Sequence, residues 1–321
     1  MKKIYKILTI SSLVLLTSLM VKTTAFAQEE GTAEATKEVT KERPVRPAFE
    51  SGLLFDAATT TVQPSKTLEM IIQHRFGYTE NGIHDLYGIW NPANIRFGLN
   101  YSILNNLTIG AGATKFNKME DFQLKYRFVE QTRSNSMPIT VMLYEVVAID
   151  GSPNSKWDGT PDSATTKSYK FSNRMSYFTQ LVISRRFNDH LSLQIAPGFT
   201  HYNVVDSVYN HDRMSFSFAG RYKFSPQGSI IISCDFPLDI KGLYDFKKVS
   251  ASTVIYNKPN ICVGFEVSTS THTFHIYLAS AQGILPQEDI MWNKKNFFDM
   301  NLKNPTGSIM LGLNITRLWN F

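Results

Sequence analysis

Cysteine is nearly absent from this chain. Cys234 and Cys262 are the only two, and neither follows the small-x-small site Ala25-Phe26-Ala27, which excludes a lipid anchor on a cysteine there. No zinc-ligand spacing, phosphate-binding loop or dinucleotide-binding glycine pattern occurs, so no metal and no cofactor is expected. Beyond residue 27 there is no run of about 18 consecutive apolar residues, which excludes a membrane-spanning helix. Long helical stripes are missing as well. A charge excess is only nominal. Lys and Arg number 33 against 27 Asp and Glu, but Lys2, Lys3, Lys6 and Lys22 fall in residues 1–27, where there is no acid. The remainder is 29 against 27, a balance that gives no basis for nucleic-acid binding.

What is present begins with targeting. A lysine-rich start, a short apolar core Ile7 to Met20 and the Ala25-Phe26-Ala27 site read as a secretory signal peptide over residues 1–27. Residues 28–48 are rich in Glu, Thr, Lys and Ala without apolar periodicity and read as a disordered periplasmic tail. Residues 49–321 read as one domain. Its first stretch, Phe49 to Ser65, carries Leu53, Leu54, Phe55 and Val62 and is expected to pack at the barrel mouth or extend the first strand.

The rest alternates with period two, the signature of strands with one apolar face. Twelve strands are expected: Thr67–Phe76, Asn94–Ser102, Leu107–Thr114, Asp121–Val129, Ile139–Ala148, Phe171–Phe187, Leu191–Tyr202, Arg213–Phe224, Gly228–Pro237, Asn260–Ser268, Thr271–Ala279 and Gly307–Phe321. Pro197 predicts a bent or locally unpaired seventh strand. The last strand alternates Ile309, Leu311, Leu313, Ile315, Arg317, Trp319 and Phe321. Trp319 and the terminal Phe321 look like the insertion signal of bacterial outer-membrane barrels. Short and long connections mostly alternate, as periplasmic turns and extracellular loops do. The expectation is therefore all-β: a transmembrane, antiparallel, up-and-down β-barrel with about twelve strands and both termini periplasmic. Its location is the outer membrane of a Gram-negative bacterium after Sec export, with outer-membrane lipid and the barrel-assembly machinery as partners.

Charges on a lipid-facing wall are costly, so they are expected in the lumen. That assigns Glu69, Arg75, Arg96, Asp121, Lys125, Arg127, Arg186, Arg221, Lys223, Asp235 and Glu266 inward. The set leans basic and reads as an ion-pair network filling the lumen or an anion-attracting pore. Cys234 and Cys262 fall in opposite phases of neighbouring strands, which disfavours a disulfide. In the loop Gly77–Ala93, the residues Ile83, Leu86, Tyr87, Ile89 and Trp90 are too apolar to stand in water without a partner. They are expected to fold inward as a constriction or plug, or to pack against neighbouring loops, with a surface-binding patch as the alternative. Asp150, Asp158 and Asp162 with Gly151 and Gly159 do not match a calcium-binding loop. His190 and Ser192 share a strand face at a predicted periplasmic turn, a poor position for a lipid hydrolase. His74, His272 and His275 have no evident serine partner.

The motifs His74-Arg75-Phe76-Gly77, Leu86-Tyr87-Gly88-Ile89-Trp90-Asn91-Pro92-Ala93-Asn94-Ile95-Arg96-Phe97-Gly98-Leu99, Leu107-Thr108-Ile109-Gly110 and Phe122-Gln123-Leu124-Lys125-Tyr126-Arg127 resemble a domain-of-unknown-function β-barrel family of Bacteroidota-type outer membranes. The resemblance spans about Phe49 to Phe321 and implies an outer-membrane barrel of this size, with no activity to carry over. The expected role is a narrow channel or structural membrane protein without catalysis. The alternatives are a surface-binding protein acting through its long loops and, third, a membrane lipid hydrolase.

Overall fold

The structure, a computed structural model, describes residues 42–153, 170–205, 209–240, 257–298 and 308–321. The signal-peptide reading, residues 28–41, Asp158 and Asp162 lie outside the described residues. Within Glu42–Phe321, period-two alternation becomes twelve strands. They are β1 (Thr67–Tyr78), β2 (Asn94–Leu104), β3 (Leu107–Thr114), β4 (Met119–Val129), β5 (Thr140–Ile149), β6 (Met175–Arg186), β7 (Leu191–Tyr202), β8 (Asp212–Lys223), β9 (Gly228–Leu238), β10 (Asn260–Ser268), β11 (His272–Ala279) and β12 (Met310–Asn320). Each pairs antiparallel with its sequence neighbours. β12 closes on β1 in a register running from Met310↔Tyr78 to Asn320↔Thr67, so every strand edge is satisfied. Most short connections gather at one end, the turn end, and the long ones at the other, the loop end, where the short link 115–118 also lies. Phe171–Arg174, expected as strand, forms a 3-10 turn before β6.

Alternation sorts the faces. In β2, Asn94, Arg96, Asn100 and Ser102 are buried inward, whereas Phe97, Leu99, Tyr101 and Ile103 are exposed outward. Pro197 faces outward. The ladder to β6 passes from Gln180↔Gly198 to Ile183↔Ile195 with no pair at the proline, because proline has no N–H to donate. Cys234 and Cys262 are free thiols on opposite faces, with Cys262 buried in the lumen. Arg317 faces outward with its guanidinium 5.0 Å from the Trp319 ring centre, and Phe321 is 78% exposed. Two strand carboxylates depart from the inward rule, Glu120, exposed near the start of β4, and Glu145. Glu145 on β5 points outward and accepts a 2.6 Å hydrogen bond from Thr179 on β6.

Inside the wall, β3 owes its composition to a neighbouring ion pair. Arg96 on β2 and Asp121 on β4 flank β3, and they meet across it at 2.9 and 2.7 Å. Gly112 lies between them, where a β-carbon would fall 2.3 Å from the Arg96 guanidinium. Gly112→Ala is therefore expected to destabilise the barrel by about 1–3 kcal/mol through overpacking. Urea unfolding in vesicles measures this, and an unshifted midpoint counts against the crossing geometry.

Twelve strands about 4.7 Å apart and tilted by about 40° enclose a backbone radius of about 12 Å. Eight strands make an interior that side chains can fill; twelve make one too wide. Two segments of the chain itself fill the difference.

Candidate functional site in the plugged lumen

The first segment is the stretch before β1. It enters at the turn end, where Pro44 bridges Thr132 and the Val45 N–H donates to the Gln131 carbonyl at 2.9 Å. Residues 42–48, expected in the disordered tail, thus already contact the barrel, just beyond β4. Residues 49–62 then run inside the lumen, where Phe49, Leu54, Phe55, Ala58 and Val62 are buried. A small hairpin pairs Leu53–Leu54 with Ala57–Ala58, and Phe55 takes φ 55° at its tip. The chain leaves by the same end. Ser65 N–H donates to Asn105 Oδ1 at 2.9 Å and Lys66 N–H to the Ser102 carbonyl at 2.8 Å, just before β1 begins. Phe49 to Ser65 is thus a re-entrant plug, not a cap on the mouth or an extra length of β1.

Wall side chains hold the plug by its backbone. Gln73 and Asn314 both donate to the Phe55 carbonyl, at 3.0 and 2.6 Å. Gln194 donates to the Ala58 carbonyl at 2.8 Å, and Lys125 donates to the Gly52 carbonyl. The Gly52 N–H donates to Glu69. Apolar contacts complete the seat: the Phe55 ring lies 4.4 Å from Tyr277, and Ala58 and Val62 cluster with Met142, Tyr144, Val146 and Phe178.

The second segment comes from the loop end. After β11 the chain folds inward and forms α1 (Pro286–Trp292), which is buried on all sides from Gln287 to Met291. α1 and the plug tip meet at Arg75, which is 0% exposed. Its guanidinium contacts Asp56 of the plug at 2.5 Å, Asp289 of α1 at 3.5 Å and the carbonyls of Ala281 and Gly283. Asn260 on β10 donates to both carboxylates, at 2.8 and 3.3 Å. Two carboxyls thus share one guanidinium. Burial opposes ionisation of Asp56, but Arg75 and a hydrogen bond from Asp289 hold its carboxyl below the ordinary value. Burial, with the charge of Asp56 added, pushes the Asp289 carboxyl well above its ordinary value.

All eleven lumen residues expected from sequence occupy inward positions. Glu69, Arg75, Arg96, Asp121, Lys125, Arg221 and Glu266 are buried, and Arg127, Arg186, Lys223 and Asp235 are half-buried. The structure pairs most of the basic ones. Arg221 lies 2.7 Å from Glu266 and 2.8 Å from Glu50, Lys223 also reaches Glu50, Arg127 meets Glu130, and Arg186 meets Asp189. These contacts are those of an ion-pair network, one of the two readings expected for the set, since each of its cations has a carboxylate or carbonyl at close range. His190 bonds to the Lys223 carbonyl through Nδ1, while Ser192 is buried toward the lumen, so the two do not form a pair. His275 contacts Glu266 at 3.1 Å.

The loop Gly77–Ala93 does not plug the barrel. Ile83, Leu86, Tyr87, Ile89 and Trp90 are all exposed, because the space they were expected to occupy is taken by residues 49–62 and α1. Sequence reasoning missed Asp56, Asn260, Asp289 and α1. One signal was available: apart from Glu145, β5 is mostly apolar on both faces, with Met142, Tyr144 and Val146 inward, and a strand covered on both sides reads that way.

At the loop end, α1 also borders a cavity of about 580 Å³ lined by Asn117, Asp150, Arg174, Tyr202, Glu288 and Trp292. Burial pushes the Glu288 carboxyl up to about 7, partly offset by N–H donors of Ile284 and Leu285. A carboxyl that keeps its proton in the folded state stabilises docking below its unfolded value of about 4.3. That contribution is lost as pH rises toward 7. Hydrogen exchange over residues 284–293 is expected to be slower at pH 5 than at pH 8 after correction for intrinsic rate. Glu288→Gln should flatten this difference; a persisting difference would assign it elsewhere.

The site and fold together define a membrane β-barrel whose lumen is occupied by its own N-terminal segment and an inward-folded loop helix. The chain matches the membrane bound beta barrel domain family (DUF5777) over residues 49–319 and belongs to that family. No curated protein matches it. Among solved structures it is similar to the NanC porin, with 8% identity, a TM-score of 0.46, and coverage of 78% of this chain and 98% of that one. An outer membrane channel from Pseudomonas putida F1 has 11% identity, a TM-score of 0.43, and coverage of 81% and 97%. LpxR from Salmonella typhimurium has 9% identity, a TM-score of 0.34, and coverage of 79% and 100%. At these values the likeness carries no functional content.

Proposed function

We propose that this protein is a gated outer-membrane channel, closed while residues 49–62 occupy the lumen and conducting when they withdraw. The observation that supports this reading is the path of the plug, which enters and leaves by the turn end. Such a segment can slide out without unthreading. Hydrogen bonds hold much of it, and each can be exchanged for water at a net cost of about 1 kcal/mol. In this reading the protein is Sec-exported to a Gram-negative outer membrane, folded there by the barrel-assembly machinery, and surrounded by lipid. The turn end faces the periplasm. The chain performs no catalytic step.

Planar-bilayer recording tests the gate. The intact protein should stay silent apart from rare openings, and a variant without the plug should conduct continuously. A plug-free variant that folds and passes no current would sink the channel reading. It would leave a structural or surface-binding barrel, for which the exposed Ile83 and Trp90 are the supporting observation.

A further inference from the structure

The loop after β1 spends five apolar side chains on solvent. Ile83 is 68% exposed and Trp90 76%, and Leu86, Tyr87 and Ile89 join them. Yet its backbone is closely built. The Asp85 carboxylate accepts from the Gly88 N–H at 2.9 Å, from Asn81 at 2.9 Å and from Asn91. These donors hold the Asp85 carboxyl below its ordinary value, the Gly88 N–H contributing most. Gly77 N–H donates to the Gly88 carbonyl at 2.9 Å, and at Gly88 (φ 87°) a β-carbon would lie 2.2 Å from the Gly77 carbonyl oxygen. Leu86 (φ 51°) and Tyr87 (φ 55°) both take a left-handed conformation that such residues rarely adopt. Strain of this kind persists only where the surroundings impose it, and here it turns the apolar side chains outward.

We propose that this loop is a rigid prong seated in the headgroup–acyl boundary of the bilayer around the barrel. Three observations select lipid as the occupant. The prong stands at the rim of the wall, beginning where β1 ends at Tyr78 and running to Asn94, the first residue of β2. It rises directly from the outward column that Phe76, Ile95 and Phe97 form on β1 and β2, and Phe116, whose N–H donates to Asn94 at the start of β2, is exposed at the same end. The tip also brings little charge: Asp85 is buried in the knot, and Glu80 is engaged by Lys295 and Ser308. Finally, Trp90 and Tyr87 have the amphipathic rings that favour a membrane–water interface.

The test uses the full chain in phosphatidylcholine vesicles whose acyl chains are brominated near the headgroup. Subtracting the emission of Trp90→Phe isolates Trp90 from the other tryptophans. Bromine should quench most of that difference signal, and aqueous acrylamide should quench little of it. Quenching by acrylamide without a response to bromine overturns the proposal, because the prong would then stand in water as a protein-docking surface. Asp85→Ala removes the central acceptor and leaves the barrel strands unaltered. It should increase acrylamide quenching of Trp90, and unchanged quenching would refute the claim that the Asp85 knot sets the prong.

Discussion

A chain in which the exported N-terminus is joined directly to Gln63 should conduct on the order of tenfold more current than the intact protein. The wall encloses a backbone radius of about 12 Å, and inward side chains take roughly half of it. With residues 49–62 absent, the buried rings of Phe49 and Phe55 and the hairpin backbone vacate the lumen from the turn end up to the level of Arg75. α1 remains, held by Asn257, which donates to the Ile290 carbonyl at 2.8 Å, so the deleted variant keeps a loop-end constriction. The barrel wall should survive, because β12–β1 closure does not involve the plug. Heat-modified mobility on gels checks folding, and single-channel recording checks conduction. Co-deletion of residues 282–293 should increase the step size again if α1 is the second barrier.

Replacing Arg75 with Met should cost about 3–5 kcal/mol, because removing one partner strands buried carboxyls with no counter-charge. Asp56 and Asp289 are both deep in the lumen beside that guanidinium. Its loss frees the plug tip and α1 together, so the same variant should open more often in bilayers. Adding Asp56→Asn to Arg75→Met should recover part of the stability, since the residual charge is then removed. Unfolding in urea measures both. An Arg75→Met protein within about 1 kcal/mol of the parent, or a double variant no better than the single one, would show that the junction does not hold the plug.

The barrel was legible because its physics is local. Alternation is written residue by residue, and a hydrocarbon solvent enforces it on every strand, so Leu107–Thr114, Leu191–Tyr202 and Asn260–Ser268 could be bounded to the residue. Inward charges followed from the same rule, as did the opposed cysteines. What fills the lumen was not legible. Phe49 to Val62 and Ile83 to Trp90 are both apolar stretches beside the wall, and composition does not say which one enters. The loop after β1 was the wrong choice.

Alternation alone thus predicts about twelve strands closing a barrel, the face that most wall residues take and where most turns lie. Each of those follows from one segment meeting lipid on one side and polar surroundings on the other. Only the tertiary structure decided that the N-terminal segment and α1 occupy the interior and meet at Arg75. That outcome depends on contacts such as Asp56 with Arg75 and Asp289 with Arg75, between residues far apart in the chain. It also depends on the width of a closed cylinder, a property of all twelve strands at once and of none alone.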